Sequence, residues 1–157
     1  MALAHPERMR AQDFYKLAPE VAAALRTLGT AVEASGLDPS MLELMKLRAS
    51  YINGCTFCVQ HHLNIARKLG ISQTRLDLVG VWREAGVFTP RECAALALTE
   101  ALTARLPDGL PDELWAAVLK VFSADEAAFL CSAVANINAW NRIAIALRFA
   151  PPIPRAA

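Results

Sequence analysis

Apolar residues recur every three to four positions along nearly the whole chain, and the alternation of β-branched and polar residues that marks strands is missing. The pattern predicts an all-α protein. Val21-Ala22-Ala23-Ala24-Leu25, continued by Leu28 and Val32, forms a first helix from about Pro19 that Gly36 ends. Asp38-Pro39 opens the next, with the carboxylate as N-cap and proline in the first turn, where its missing N–H costs nothing. Met41, Leu42, Met45 and Ala49 draw its apolar stripe, with Lys46 and Arg48 off it. Asn53-Gly54 stops this helix, because both residues tolerate the left-handed conformation of a helix C-terminus. A further helix begins near Cys55 and carries Cys58, His62, Ile65, Ala66 and Leu69 as far as Gly70.

Three more start signals follow. Ser72 precedes Leu76, Val79 and Trp82, while Thr89-Pro90-Arg91-Glu92 and Ser123-Ala124-Asp125-Glu126 are capping boxes. A loop holding Pro107, Gly109 and Pro111 separates the helix that ends near Ala104 from a short one over Asp112 to Phe122. Pro151, Pro152 and Pro154 end the last helix. With no linker and no repeat, residues 1–157 are expected to form a single-domain bundle of about seven helices.

A chain of 157 residues can bury a core without disulfide staples. Its 16 basic and 15 acidic residues leave a net charge of +1, which gives no footprint for nucleic acid or an anionic membrane. Hydrophobic residues make up 55%, yet no run approaches the ~20 residues of a spanning helix, so the excess points to a subunit interface. The first twelve residues lack the apolar stretch of a signal peptide, and a cytoplasmic location is expected. In that reducing compartment four cysteines are not a framework, and a disulfide formed there is transient and catalytic.

The chemistry concentrates in Cys55-Thr56-Phe57-Cys58, with His62 one turn later and Glu43 on the preceding helix. Two thiols three residues apart can close as a disulfide, and a histidine four residues after Cys58 shares its helix face and can take its proton. Cys55 sits at the helix start, where free N–H groups and the macrodipole favour a thiolate, so both sulfurs qualify for a lowered pKa. The reversal at Asn53-Gly54 folds the Glu43 helix back, where its carboxylate can orient or recharge the imidazole. Together these groups support attack of a thiolate on a peroxide oxygen, a sulfenic acid, and its capture by the second thiol. No cofactor is needed for that half-reaction, since sulfur carries both electrons. Zinc bound by Glu43, Cys55, Cys58 and His62 is an alternative, although no second CxxC or paired HxxxH accompanies them.

The stretches Glu43-Leu44-Met45-Lys46-Leu47-Arg48-Ala49-Ser50, Ile52-Asn53-Gly54-Cys55, Cys58-Val59-Gln60-His61-His62 and Ala66-Arg67 closely resemble the alkylhydroperoxidase D-like branch of the carboxymuconolactone decarboxylase superfamily. So do residues 10–19, Trp82-Arg83-Glu84-Ala85, Arg91-Glu92-Cys93-Ala94-Ala95-Leu96 and Asn138-Ala139-Trp140-Asn141-Arg142. The resemblance implies an all-helical subunit assembled as a homo-oligomer, a trimer or hexamer, with CxxC-dependent peroxidase activity. Glu43 would be the relay carboxylate, His62 the base, Cys58 the peroxide-attacking thiol and Cys55 the resolving thiol. A hydroperoxide would be the substrate, and a dithiol or flavoprotein the reductant. The chain departs from the family's pattern at Phe57, where well-studied members carry histidine. A non-redox, decarboxylase-like member of the superfamily is a further alternative, but such members generally lack the CxxC.

The remaining polar and aromatic residues have plainer expectations. His61 points about 100° around the helix from His62 and is assigned to the surface or an interface. His5 is inert, and Cys93 and Cys131 are small hydrophobes without a redox role. Asn136, Asn138 and Asn141 satisfy backbone groups or a subunit contact, with substrate lining by Asn138 or Asn141 the lesser reading. Trp82, Trp115, Trp140, Phe122 and Phe129 are core or interface anchors.

Overall fold

The computed structural model describes residues 5–104 and 106–154; residues 1–4 of the segment read for a signal peptide, and residues 105 and 155–157, lie outside the described residues. The order is α1 (Ala11–Leu17), α2 (Pro19–Glu33), α3 (Pro39–Asn53), α4 (Thr56–Lys68), α5 (Gln73–Leu78), α6 (Trp82–Ala85), α7 (Pro90–Thr103), α8 (Asp112–Leu119) and α9 (Ala124–Leu147). Among the described residues there is no strand, as the hydrophobic period requires.

The helices outnumber the expected seven for two reasons. Helix α1 is too short for a periodic stripe to show; the Arg10–Asp13 pair at its start and the packing of Phe14 on Phe149 and Trp140 hold it in place. The segment after Ser72 does not run straight through but breaks into α5, a 3₁₀ turn at Val79–Val81 and α6. Gly80 stands at that break, where its poor helix propensity makes interruption cheap.

The capping signals hold in detail. Asp38 accepts from the Ser40 amide, Ser72 from that of Arg75, and Thr89 and Ser123 both close reciprocal boxes with Glu92 and Glu126. The last helix ends earlier than the prolines suggest: Arg148 turns left-handed at φ 52° and the Phe149 amide closes on the Ala144 carbonyl.

Helix α3 is the central element, packed on α4, α7 and α9. Its apolar surface is wider than the stripe Met41, Leu42, Met45 and Ala49, since Leu44 and Leu47 are also fully buried. Met41, Leu42 and Met45 join a cluster with Leu98, Val118, Phe122, Leu130 and Val134, while Leu44 and Leu47 join one with Ala66, Leu76, Val79, Trp82 and Leu96. A helix apolar on two faces belongs in the middle of a bundle. A smaller cluster of Cys55, Cys58, Ala144 and Phe149 lies where α4 meets the end of α9. Cys93 and Cys131 are unpaired, half-buried and packed against the two larger clusters, as expected of small hydrophobes. Trp82 and Phe122 are core anchors, whereas Phe129 is exposed. No described helix is long and apolar enough to cross a membrane.

Candidate functional site

The site is set by an economical helix junction. Gly54 adopts φ 69° as the left-handed cap of α3, and the Cys55 amide reaches back to the Ser50 carbonyl, a Schellman closure. Cys55 is at the same time the N-cap of α4, its sulfur accepting from the Cys58 amide at 3.3 Å. One residue thus ends one helix and begins the next. Asn53 is still helical and does not share the left-handed stop expected of it. Its amide instead donates to Asn138 Oδ1 at 2.9 Å and Asn141 Oδ1 at 2.8 Å, clasping the end of α3 to α9. Asn141 returns a bond to Ser50 Oγ, and Asn138 donates to Thr103 Oγ1. Asn138 and Asn141 therefore hold the scaffold together, chiefly through side chains rather than the backbone groups expected of them; only Asn138 also bonds a carbonyl, that of Val134.

The sulfurs of Cys55 and Cys58 face each other at disulfide distance, with Cα atoms 5.3 Å apart, inside the range a disulfide needs. Both residues are buried, at 1% and 3% exposure. His62, four residues on, lies on the same side of α4, and Glu43 reaches it from α3: Glu43 Oε2 and His62 Nδ1 are 2.7 Å apart. The other carboxylate oxygen accepts from Lys46 Nζ at 2.7 Å, and Lys46 also lies 3.5 Å from the exposed Glu33. Burial acts to raise the Glu43 carboxyl, but the hydrogen bond and charge of His62, with the Lys46 ammonium, outweigh it and hold the group below the usual glutamate range. An ionised Glu43 accepts the Nδ1 hydrogen and leaves Nε2 of His62 as the proton acceptor.

A carboxyl depressed on folding stabilises the fold above the ordinary glutamate range, and that stability drains away as pH falls through the lowered value. Thermal melts should therefore drop steeply below pH about 4.3. Glu100 adds to the effect, because hydrogen bonds from Arg83, Trp82 and Arg48 hold it low against its own burial. Glu43→Gln should remove part of the slope; an unchanged slope would show that Glu43 is not depressed.

Each cysteine of the pair lines a different cavity. One, of about 500 Å³, is walled by α1, α2, α3, α4 and α9 and lined by Cys58, His62, Lys46, Phe57 and Trp140. The other, of about 460 Å³, is lined by Cys55, Thr56, Phe57, Arg148 and Phe149. Phe57 borders both, stacked on His61 and edge-on to Phe149. His5, expected to be inert, lines the second cavity. His61 is exposed as expected but also lines the first cavity, and Trp140 is a wall of it rather than a core anchor. Sequence reasoning missed Lys46, placed off the apolar stripe; its spacing of three from Glu43 was the available signal. Among the described residues no three or more His, Cys, Asp or Glu side chains are grouped to hold a metal, the sulfurs facing each other and Glu43 bonding His62.

Residues 19–101 match the carboxymuconolactone decarboxylase family. The uncharacterized protein YdfG of Bacillus subtilis (strain 168) is 34% identical over 134 residues, covering 85% of this chain and 91% of that one. Among solved structures, ATU0492 of Agrobacterium tumefaciens, a protein of unknown function assigned to the AhpD antioxidant-defence proteins, superposes with a TM-score of 0.87 at 37% identity over 95% of this chain and all of that one. The debrominase Bmp8 shares the fold at a TM-score of 0.76, with 20% identity over 85% of this chain and 72% of its own. Matched through its central helices and over most of its length, the chain belongs to the carboxymuconolactone decarboxylase family, in its alkylhydroperoxidase D-like branch.

Proposed function

We propose that the protein is a CxxC-dependent thiol peroxidase and disulfide oxidoreductase that reduces a hydroperoxide through Cys55 and Cys58. The observation that carries this reading is that Cys58, facing Cys55, and His62, bonded to Glu43, line one cavity. In the reduced protein Cys58 passes its proton to His62 Nε2, and the thiolate attacks the distal oxygen of the hydroperoxide. The O–O bond breaks, the proton held by His62 goes to the leaving alkoxide, and an alcohol departs. Cys58 is then a sulfenic acid. Cys55 attacks its sulfur, water leaves, and the disulfide forms. A dithiol or reduced flavoprotein supplies the two electrons that reopen it.

The N-cap position supports this division of roles. The Cys58 amide bonds to Cys55 Sγ, which stabilises a thiolate there and makes Cys55 the better leaving group when a reductant attacks Cys58. Cys58 shares the larger cavity with His62, whereas Cys55 faces the smaller one, which favours Cys58 as the peroxide-attacking thiol. The same reading includes a cytoplasmic homo-oligomer.

Stopped-flow counting of free thiols tests it. Freshly reduced, chelator-washed protein mixed with one equivalent of cumene hydroperoxide should lose two thiols rapidly, and dithiol should restore them. Cys58→Ser should lose none at that rate, while Cys55→Ser should stop at a trappable sulfenic acid. Persistence of all four thiols in the wild type would sink the peroxidase reading.

A further inference from the structure

Asn136 differs from its neighbours on α9. Asn138 and Asn141 are bonded through the clasp, but Asn136, 8% exposed, has a buried Oδ1 without a hydrogen-bond partner among the described residues. It lines the larger cavity together with Gly29. A Cβ built on Gly29 would come within 3.2 Å of Asn136 Nδ2, so glycine at that point leaves room for the amide. A native fold seldom leaves a buried amide unpaired without a use for it, since the desolvation costs stability.

The rest of the wall supplies the context. Ala133, Ile137, Trp140 and Ala144 line the cavity from the same helix, and Leu25, Val32 and Ile65 line it from others. Ala144 packs with Cys55 and Cys58, and Asn136 lies eight residues before it, about 12 Å along the helix axis. The cavity is thus mostly apolar, with the reactive sulfur towards one end and a single unpaired amide towards the other. Of the cations on its wall, Lys46 bonds Glu43, and Arg26, on α2, lies over the Tyr15 ring.

We infer that Asn136 is a specificity-determining anchor, and that the cavity takes an elongated apolar hydroperoxide with an uncharged hydroxyl or amide at the end remote from its O–O bond. This rests on the peroxidase reading for the reaction but not for the binding. A hydroxyl suits the amide because its oxygen can accept from Nδ2, which has no partner of its own among the described residues. A charged end group does not, since a neutral amide cannot repay its dehydration.

The test compares ligands that differ only at the remote end. An extended eight-carbon chain with an oxygen at each end spans about 12 Å, the axial separation of Ala144 and Asn136 on α9, so the probes are 1-octanol and 1,8-octanediol for binding, followed by tryptophan fluorescence. Octyl and 8-hydroxyoctyl hydroperoxide serve for turnover. The readout is the ratio of hydroxylated to plain ligand, in affinity and in kcat/KM. Asn136→Leu should lower both ratios about tenfold. Gly29→Ala, which crowds the amide, should lower them in the same direction. Asn136→Leu should also melt no lower than the wild type, because it removes an unpaired amide and orphans no partner. Unchanged ratios, an equal loss for both ligands, or a lower melting temperature would overturn the anchor. If the wild type reduces neither hydroperoxide while the octanediol ratio still falls in Asn136→Leu, the anchor stands and the peroxidase reading fails. If both hydroperoxides are reduced and the ratios do not change, the peroxidase reading stands and the anchor fails.

Discussion

Replacing Glu43 by glutamine is expected to slow the reaction of the reduced protein with an organic hydroperoxide by about 10²-fold or more, with the helical fold retained. The carboxylate accepts the Nδ1 hydrogen of His62 at 2.7 Å and so fixes the tautomer whose Nε2 can take a proton. A carboxamide can turn its NH₂ towards Nδ1 instead, which moves the ring hydrogen to Nε2 and blocks the base. It also cannot offset the imidazolium that forms when Cys58 is deprotonated. Lys46 would keep Glu33 as a partner, so the half-buried ammonium is not stranded. Stopped-flow thiol loss across pH, with circular dichroism as the control for folding, checks the expectation. A rate within a factor of two of the wild type would show that Glu43 does not orient the base.

Asn141→Ala is expected to cost about 3 kcal/mol of stability, read from urea unfolding. Asn141 is fully buried, accepts from Asn53 and donates to Ser50, whose own hydroxyl is bonded to the Lys46 carbonyl. Truncation takes one of two hydrogen bonds from each of Asn53 and Ser50 and opens a void between α3 and α9. Asn138→Ala should cost less, because that residue is half-buried and water can replace part of what it offers. The clasp also holds the turn that places Cys55, so Asn141→Ala should slow disulfide closure as well as weaken the fold. A loss below about 1 kcal/mol would mean that hydrophobic packing alone holds the two helices together.

Much of this architecture can be read from residue types. Helix boundaries follow from Asp38-Pro39, Thr89 with Glu92, and Ser123 with Glu126, because capping is local chemistry that neighbouring residues decide. The placement of Glu43 beside His62 was also legible, since a single glycine turn between two helices leaves few ways to fold them. What could not be read are the long-range pairings. Nothing near Asn53 in sequence says that its amide bonds residues 85 and 88 positions later. Nor can periodicity separate Asn136 from Asn138 and Asn141, because only the packing of α2 against α9 decides which amide faces a cavity and which faces a partner. Phe57 shows the same limit: its type suggested a departure from the family pattern, but its position bordering two cavities is a property of the assembled helices.

The ion pair between Lys46 and Glu43 has a consequence for the charge held inside the protein. With His62 neutral, the group formed by half-buried Lys46 and buried Glu43, His62 and Cys58 sums to zero. Moving the thiol proton from Cys58 to His62 creates one positive and one negative charge side by side, and the sum is still zero. The interior therefore never has to hold a net charge, whose dehydration in a medium of low polarity would cost several kcal/mol. A neutral residue in place of Lys46 would break this balance at the outset, leaving the site net negative at the moment a thiolate must form.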